Sequence, residues 1–183
     1  MKEICIGLLE VNSIAVGIKC IDEMAKKAPV KIIEAMTICP GKYIILITGE
    51  VAAVEESMKI GKLTASYHLI DELFLPTTHH QVYPAITGTS KVDTMNSLGI
   101  IETFSVASAI IAADKAAKTA DVTLITLRLA TGLGGKAFVT LTGDISEVEA
   151  AVDAGADLAG NEGLLVKKVV IPAPHEDITK FIL

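Results

Sequence analysis

Residues 6–30 read IGLLEVNSIAVGIKCIDEMAKKAPV, and residues 98–122 read LGIIETFSVASAIIAADKAAKTADV. The two stretches align without a gap at an offset of 92 positions, close to half of the 183-residue chain. After a two-residue slip, the match resumes with Gly41-Lys42 against Gly135-Lys136. A self-match of this length predicts two domains that share one fold.

Each copy predicts the element order β-α-β-β-α-β, followed by a short terminal helix. Ser13 or Ser105 comes after the first β-rich stretch and is suited to cap the free amides of the next helix. The segment 39–42, CPGK, then separates two strand-like runs in the manner of a proline-glycine turn. This order predicts a split, ferredoxin-like α/β sandwich of the α+β class. The predicted domains are 1–88 and 96–183, joined by a small polar linker.

The first helix of each copy carries a stripe of apolar residues with the 3.6-residue period. We expect this stripe to face the core of its domain. The stripe consists of Ile14, Ile18, Ile21 and Ala25 in the first copy and of Val106, Ile110, Ala113 and Ala117 in the second.

The composition excludes several classes of protein. Hydrophobic residues make up 51% of the chain, but the longest apolar runs are far shorter than the ~20 residues that cross a bilayer, so we expect no transmembrane segment. The formal charge is −6, and no basic cluster is interleaved with aromatic residues, which argues against nucleic-acid binding. The first residues do not resemble a signal peptide, so we expect a cytoplasmic protein. A soluble chain this apolar is expected to bury surface against copies of itself.

Cys39 is the most informative of the three cysteines, because the second copy has Thr131 in its place and the shared fold therefore does not need the thiol. An exposed thiol at a hairpin tip is a chemical liability, which indicates a purpose. One Cys-Pro pair is far short of the four ligands that an iron–sulfur cluster takes, so the residues alone leave open an unligated or redox-sensitive thiol and a metal ligand. Cys5 and Cys20 are expected to be small buried residues.

Other candidate residues favour structural roles. His79, His80 and His175 lie after prolines, and the adjacent pair could bind a metal, but no cysteine or carboxylate accompanies it at a ligand spacing. The run 132–135, GLGG, resembles a phosphate-binding loop, yet it joins two strands and lacks the helix that attracts anions, so we interpret it as the second hairpin tip. No Ser-His-Asp order, repeated carboxylate pair or nucleotide motif occurs, and we expect no enzyme activity.

The paired motifs resemble those of bacterial microcompartment shell domains. Both copies have a glycine-containing strand that ends in Glu, a Ser-capped helix that ends in Ala-Lys, a Gly-Lys hairpin and a closing motif, which in the second copy is Ile-Pro-Ala-Pro-His. The segment 37–42, TICPGK, is further similar to the PduT-type tandem shell proteins of propanediol-utilisation microcompartments. The resemblance covers nearly the whole chain because both copies match.

This resemblance implies a shell component with a defined assembly and cofactor. It implies that three chains form a pseudo-hexameric homotrimer that tiles into the shell, and that Cys39 of each chain binds one shared [4Fe-4S] cluster at the central axis, beside Pro40 and Gly41. It further implies electron transfer across the shell, with other shell proteins and a lumenal redox enzyme as partners. The loop residues expected to line the pore are Lys42, Thr131, Gly132, Leu133, Gly134 and Gly135, and those expected at the disc edge are Lys26 and Lys118.

The sequence departs from the shell pattern in the closing motif. Shell proteins often carry an arginine between its two prolines, whereas this chain has Thr77 and Ala173, so tiling is expected to be weaker or differently arranged. Two alternative functions stay open. One is a purely structural shell trimer with a metabolite pore and no cluster, and the other is a small-molecule-binding regulatory or catalytic domain on the same ferredoxin-like unit.

Overall fold

Two units with the same element order make up the structure, a computed structural model that describes residues 4–92 and 94–182. The first unit ends at Thr78 and the second begins at His79. Among the described residues, no helix is long and apolar enough to cross a membrane.

The first unit is a four-stranded sheet with two helices packed on it. Its elements are β1 (Ile4–Val11), α1 (Ile14–Lys27), β2 (Lys31–Ile38), β3 (Lys42–Gly49), α2 (Val51–Ala65), a 3-10 turn (Ser66–His68) and β4 (Leu69–Thr78). The strand order is β2-β3-β1-β4, and all neighbouring strands are antiparallel. Both helices contact the central strand β1, which is buried from its second residue onward.

The second unit repeats this architecture and adds a helix at each end. Its elements are α3 (Val82–Thr87), β5 (Ser97–Thr103), α4 (Val106–Thr119), β6 (Thr123–Arg128), β7 (Ala137–Gly143), α5 (Ile145–Asn161), β8 (Leu165–Ile171) and α6 (Glu176–Ile182). The strand order β6-β7-β5-β8 matches that of the first unit, again with antiparallel pairs. The predicted α+β class and the tandem repeat are therefore confirmed.

The equivalence of the units extends to local irregularities. The pairing of β2 with β3 shifts register after Ile32, and the pairing of β6 with β7 shifts after Leu124, 92 positions later. The predicted helix caps are also present. The Ser13 hydroxyl accepts a hydrogen bond from the Val16 amide at 3.4 Å, and the Ser105 hydroxyl accepts one from the Ser108 amide at 3.1 Å. Local sequence thus sets the start of the first helix in both units.

The helix-face prediction is confirmed for α4 and wrong for α1. In α4 the four stripe residues, Val106, Ile110, Ala113 and Ala117, are all buried. In α1 the residues that face the core are Gly17, Cys20 and Met24. Ile14 and Ile18 are exposed by 41% and 55%, Ile21 is half-buried and Ala25 is exposed. The reason is that α1 has two apolar faces, and the period of the sequence does not say which of them packs on the sheet of the same unit.

The segment between the sheets packs on the second unit. Helix α3 contacts β6 and α4, and its residues Val82 and Ala85 are fully buried. The predicted domain limits, 1–88 and 96–183, had placed this segment in the first domain. As limits of folding domains they stay a prediction, but the contacts of residues 79–88 lie within the unit that begins at His79.

Candidate functional site

Cys39 lies at the tip of the hairpin between β2 and β3. Ile38 pairs with Lys42, so the turn contains only Cys39, Pro40 and Gly41. The Gly41 amide donates to the Ile38 carbonyl at 3.0 Å and closes the turn. Gly41 has φ +82°, a backbone conformation that favours glycine, and nothing lies within 4 Å of the position where a Cβ would stand. The peptide bond before Pro40 is cis. The tip therefore presents a thiol with open space around the neighbouring glycine.

The three thiols differ in their surroundings. Cys5 and Cys20 are buried at 3% and 0% exposure, and the Cys20 thiol lies 3.6 Å from the Gly61 carbonyl oxygen. Burial raises the pKa of the Cys5 thiol. Burial also raises the pKa of the Cys20 thiol, and the positive charge of Lys19 opposes that shift. Cys39 is half-buried. Of the three, it is the thiol that solvent, a metal or a partner can reach, and the prediction that Cys5 and Cys20 are buried is confirmed.

We expect a thiol reagent to separate these cysteines. In iron-free folded protein, an aromatic disulfide reagent should modify one thiol per chain rapidly, and all three only after unfolding, because the thiolate is the nucleophile and burial disfavours it. Mass spectrometry of the rapidly labelled protein should place the label on Cys39. Rapid labelling of Cys5 or Cys20 in the folded protein would contradict the burial described here.

A salt bridge lies at the base of each hairpin. The Lys42 ammonium contacts the carboxylate of Glu10, which is 4% exposed, and the Lys136 ammonium makes the same contact with Glu102. Sequence reasoning missed these carboxylates as partners of the lysines, although both Glu and Lys recur in each copy at matched positions. In this chain the Lys42 ammonium is held at the hairpin base, and its assignment to a pore stays a prediction.

The second hairpin tip is longer than the first. It runs from residue 129 to residue 136, between β6 and β7, and so contains the other residues predicted to line the pore, 131–135. Gly132, Gly134 and Gly135 have φ between +64° and +90°, which explains why the loop is rich in glycine. The Thr131 hydroxyl donates to the Leu129 carbonyl at 3.4 Å. The loop joins two strands, as interpreted from the sequence, and offers a hydroxyl but no thiol, imidazole or carboxylate.

The remaining predicted residues are placed without a test of their roles. Lys26 and Lys118 each pair with an Asp four residues earlier, Asp22 and Asp114. Hydrogen bonds from Asp22 and Lys26 to one another raise the pKa of the fully exposed Lys26 ammonium. The rings of His79 and His80 stack with centroids 4.3 Å apart, and the His79 amide donates to the Asp114 carboxylate at 2.7 Å. Within residues 4–92 and 94–182, no three His, Cys, Asp or Glu side chains converge in the way that a metal site needs. A cluster held by Cys39 would therefore require more than one chain.

Comparisons with known proteins agree with this architecture. The family described as BMC domain matches residues 5–78 and 97–174. The chain is 44% identical over 173 residues to the bacterial microcompartment shell protein PduT of Citrobacter freundii, covering 94% of both chains. It is 40% identical over 87 residues to the shell protein PduA of Salmonella typhimurium, covering 47% of this chain and 89% of that protein. The crystal structure of a microcompartment protein from Desulfitobacterium hafniense is 52% identical, with a TM-score of 0.94 over 97% of this chain and 98% of that one.

Proposed function

Since the chain belongs to the BMC domain family, with both halves matching, we propose that it is a bacterial microcompartment shell protein that forms a pseudo-hexameric trimer and carries a [4Fe-4S] cluster on the trimer axis. The cluster passes electrons across the shell to a redox enzyme in the lumen. The observation that carries this proposal is Cys39, a reachable thiol at a hairpin tip in one unit only.

The tandem architecture supports a ring of three chains. Two units of one fold stand in for two single-domain subunits, and the PduA match covers about half of this chain at 40% identity. Six units therefore need three chains, and a closed symmetric ring buries apolar surface that would otherwise meet water. Thirteen large hydrophobic side chains are exposed among the described residues, Ile14, Ile18 and Phe181 among them.

The residues at the first hairpin tip fit an iron–sulfur cluster shared by symmetry. Iron–sulfur clusters are bound by cysteine thiolates, and one chain offers one reachable thiol, so three chains around an axis supply three. Cys39 would bind iron, and the open space beside Gly41 lets a bulky group approach the turn backbone. When bound, the cluster supplies one-electron transfer. The second tip, 129–136, offers no cysteine ligand, so it surrounds the axis without adding to the ligand set.

The proposal is tested on protein purified without oxygen. We expect light scattering at micromolar concentration to give about three times the 19.2 kDa chain mass. We also expect a brown protein whose visible absorbance bleaches on reduction. A trimer without colour or iron would leave a purely structural shell component. A single chain that binds a small molecule saturably would favour a regulatory domain on the same fold.

A further inference from the structure

One apolar surface of the first unit is left open in the chain. It is formed by the exposed face of α1 and the adjoining end of β2, and we call it the α1/β2 surface. Ile14, Ile18 and Ile32 are exposed by 41%, 55% and 40%. The Asp22 side chain beside them is 57% exposed, and β2 lies at the edge of its sheet.

The equivalent surface of the second unit is occupied by α3. The side chain of Gln81 lies against the free edge of β6, donating to the Val122 carbonyl at 2.9 Å and accepting from the Leu124 amide at 2.8 Å. The amide of His79 donates to the Asp114 carboxylate, whose side chain is only 11% exposed. A helix and the turn before it thus cover an edge strand and the acidic residue of the neighbouring helix.

The residues of the two surfaces correspond one to one through the repeat. At the offset of 92 positions, the counterparts of Ile14, Ile18, Asp22, Val30 and Ile32 are Val106, Ile110, Asp114, Val122 and Leu124. In the second unit the corresponding residues are all buried. The α1/β2 surface is therefore a site of the same design without its helix.

Helix α6 is the corresponding helix without a site. His175 matches His79 in the closing motifs, and the turn that follows has the same hydrogen bonds. The His79 imidazole accepts from the amide two residues later at 3.5 Å, and the His175 imidazole does so at 3.2 Å. In both turns the His carbonyl accepts from the amide three residues later, at 3.0 Å. Yet α6 has no buried residue among those described, and Phe181 is 78% exposed.

We propose that α6 of one chain binds the α1/β2 surface of a second copy of this chain, as α3 binds β6 and α4 within the chain. This contact rests on the proposed ring, since it is the step by which one chain is joined to the next. It is heterologous, because each chain offers a helix on one side and a surface on the other. Contacts of this kind close a ring when the rotation between copies allows it.

The contact between chains differs from its internal template at two positions. Asp177 takes the place of Gln81, and a carboxylate can accept from the Ile32 amide but cannot donate to the Val30 carbonyl. Phe181 takes the place of the small Ala85 and brings much more apolar area. The polar half of the recognition is weaker between chains, and the aromatic ring is the anchor on which binding depends.

Two substitutions on opposite sides of the contact test the proposal in the full-length chain. Phe181→Asp alters the helix and Ile18→Asp alters the surface, and both residues are exposed in the single chain, so each variant is expected to fold with unchanged circular dichroism. Leu63→Asp is the matched control, because Leu63 is 76% exposed on α2, outside the contact. We expect both contact variants to weaken self-association by about 30-fold or more, while the control assembles as wild type does.

Mixing the two variants gives a second, more specific result. The Phe181→Asp chain keeps an intact surface and the Ile18→Asp chain keeps an intact helix, so one contact can form between them and the ring cannot close. We expect a one-to-one dimer of about twice the 19.2 kDa chain mass. Hydrogen exchange should show the Ile32 amide protected in the wild-type trimer and in the control, and unprotected in each variant alone.

The outcomes separate this contact from the proposed function. A wild-type trimer that persists in both variants would overturn the α6 contact and leave the ring standing. Dissociation by Ile18→Asp but not by Phe181→Asp would mean that another segment covers the surface, which also overturns the contact. A wild-type single chain would overturn the ring, and a protected Ile32 amide in that single chain would show that α6 folds back on its own unit.

Discussion

Cys39→Ala should remove the visible absorbance and the iron from protein purified without oxygen, while leaving the trimer formed. The expected change is from about four iron atoms per three chains to none, because no other thiol at the tip can replace the lost ligand. Cys39 is half-buried in a three-residue turn whose closing hydrogen bond runs from the Gly41 amide to the Ile38 carbonyl. Removal of the sulfur leaves that bond intact, so the fold should survive.

Three control variants assign the iron to Cys39. Thr131→Ala removes a hydroxyl from the second hairpin tip and should keep the full iron content. Cys5→Ala and Cys20→Ala should keep the colour and lose a little stability, because each removes a small group from the core. Equal iron in wild type and Cys39→Ala would contradict the proposed cofactor. Loss of iron in folded Thr131→Ala would show that the second tip provides a ligand.

The sequence predicted the architecture well because the chain states it twice. A strand, a capped helix and a hairpin that recur at one offset restrict each other, and the caps at Ser13 and Ser105 use only local hydrogen bonds. The turn at Cys39 was equally local, since proline and glycine set its backbone. For these features the neighbouring residues carry the information, so a sequence is enough.

The sequence failed where packing partners lie far along the chain. The stripe through Ile14 and Ile18 has the helical period, but so does the face with Gly17 and Met24, and the second face meets the sheet. Nothing local distinguishes a face that packs within a unit from a face that another helix covers. The docking of α3 on β6 was missed for the same reason, because Gln81 reads the free backbone edge of a strand about 40 residues away.

The candidate site shows the same division. The position of the thiol at a turn could be predicted, whereas the pairing of Lys42 with the buried carboxylate of Glu10 could not, because it joins the ends of two neighbouring strands. The number of thiols that meet is a property of the assembly. Since one chain offers one reachable thiol, assembly and cofactor are two separate measurements, and each can fail without the other.

Helices α4 and α5 of the second unit approach closely at Gly155, and a methyl group there should be strongly destabilising. A Cβ would stand 2.7 Å from the Ala112 carbonyl oxygen and 2.8 Å from the Ile101 Cδ1 atom. The carbonyl belongs to the backbone of α4 and cannot move aside unless the helix moves. We expect Gly155→Ala to lower the free energy of unfolding by about 1–3 kcal/mol, although alanine is the better helix former.

Gly160 in the same helix is the matched control and should respond with the opposite sign. A Cβ there would have its nearest neighbour, the Leu165 Cδ2 atom, at 3.8 Å, which is ordinary van der Waals contact. Gly160→Ala should therefore raise stability by about 0.4–1 kcal/mol, because alanine loses less conformational entropy on folding. Denaturant unfolding followed by circular dichroism, at one fixed chain concentration, measures both changes. A Gly155→Ala midpoint at or above that of wild type would mean that the α4 backbone yields at this contact, and the two helices would not be held as closely as the missing side chain implies.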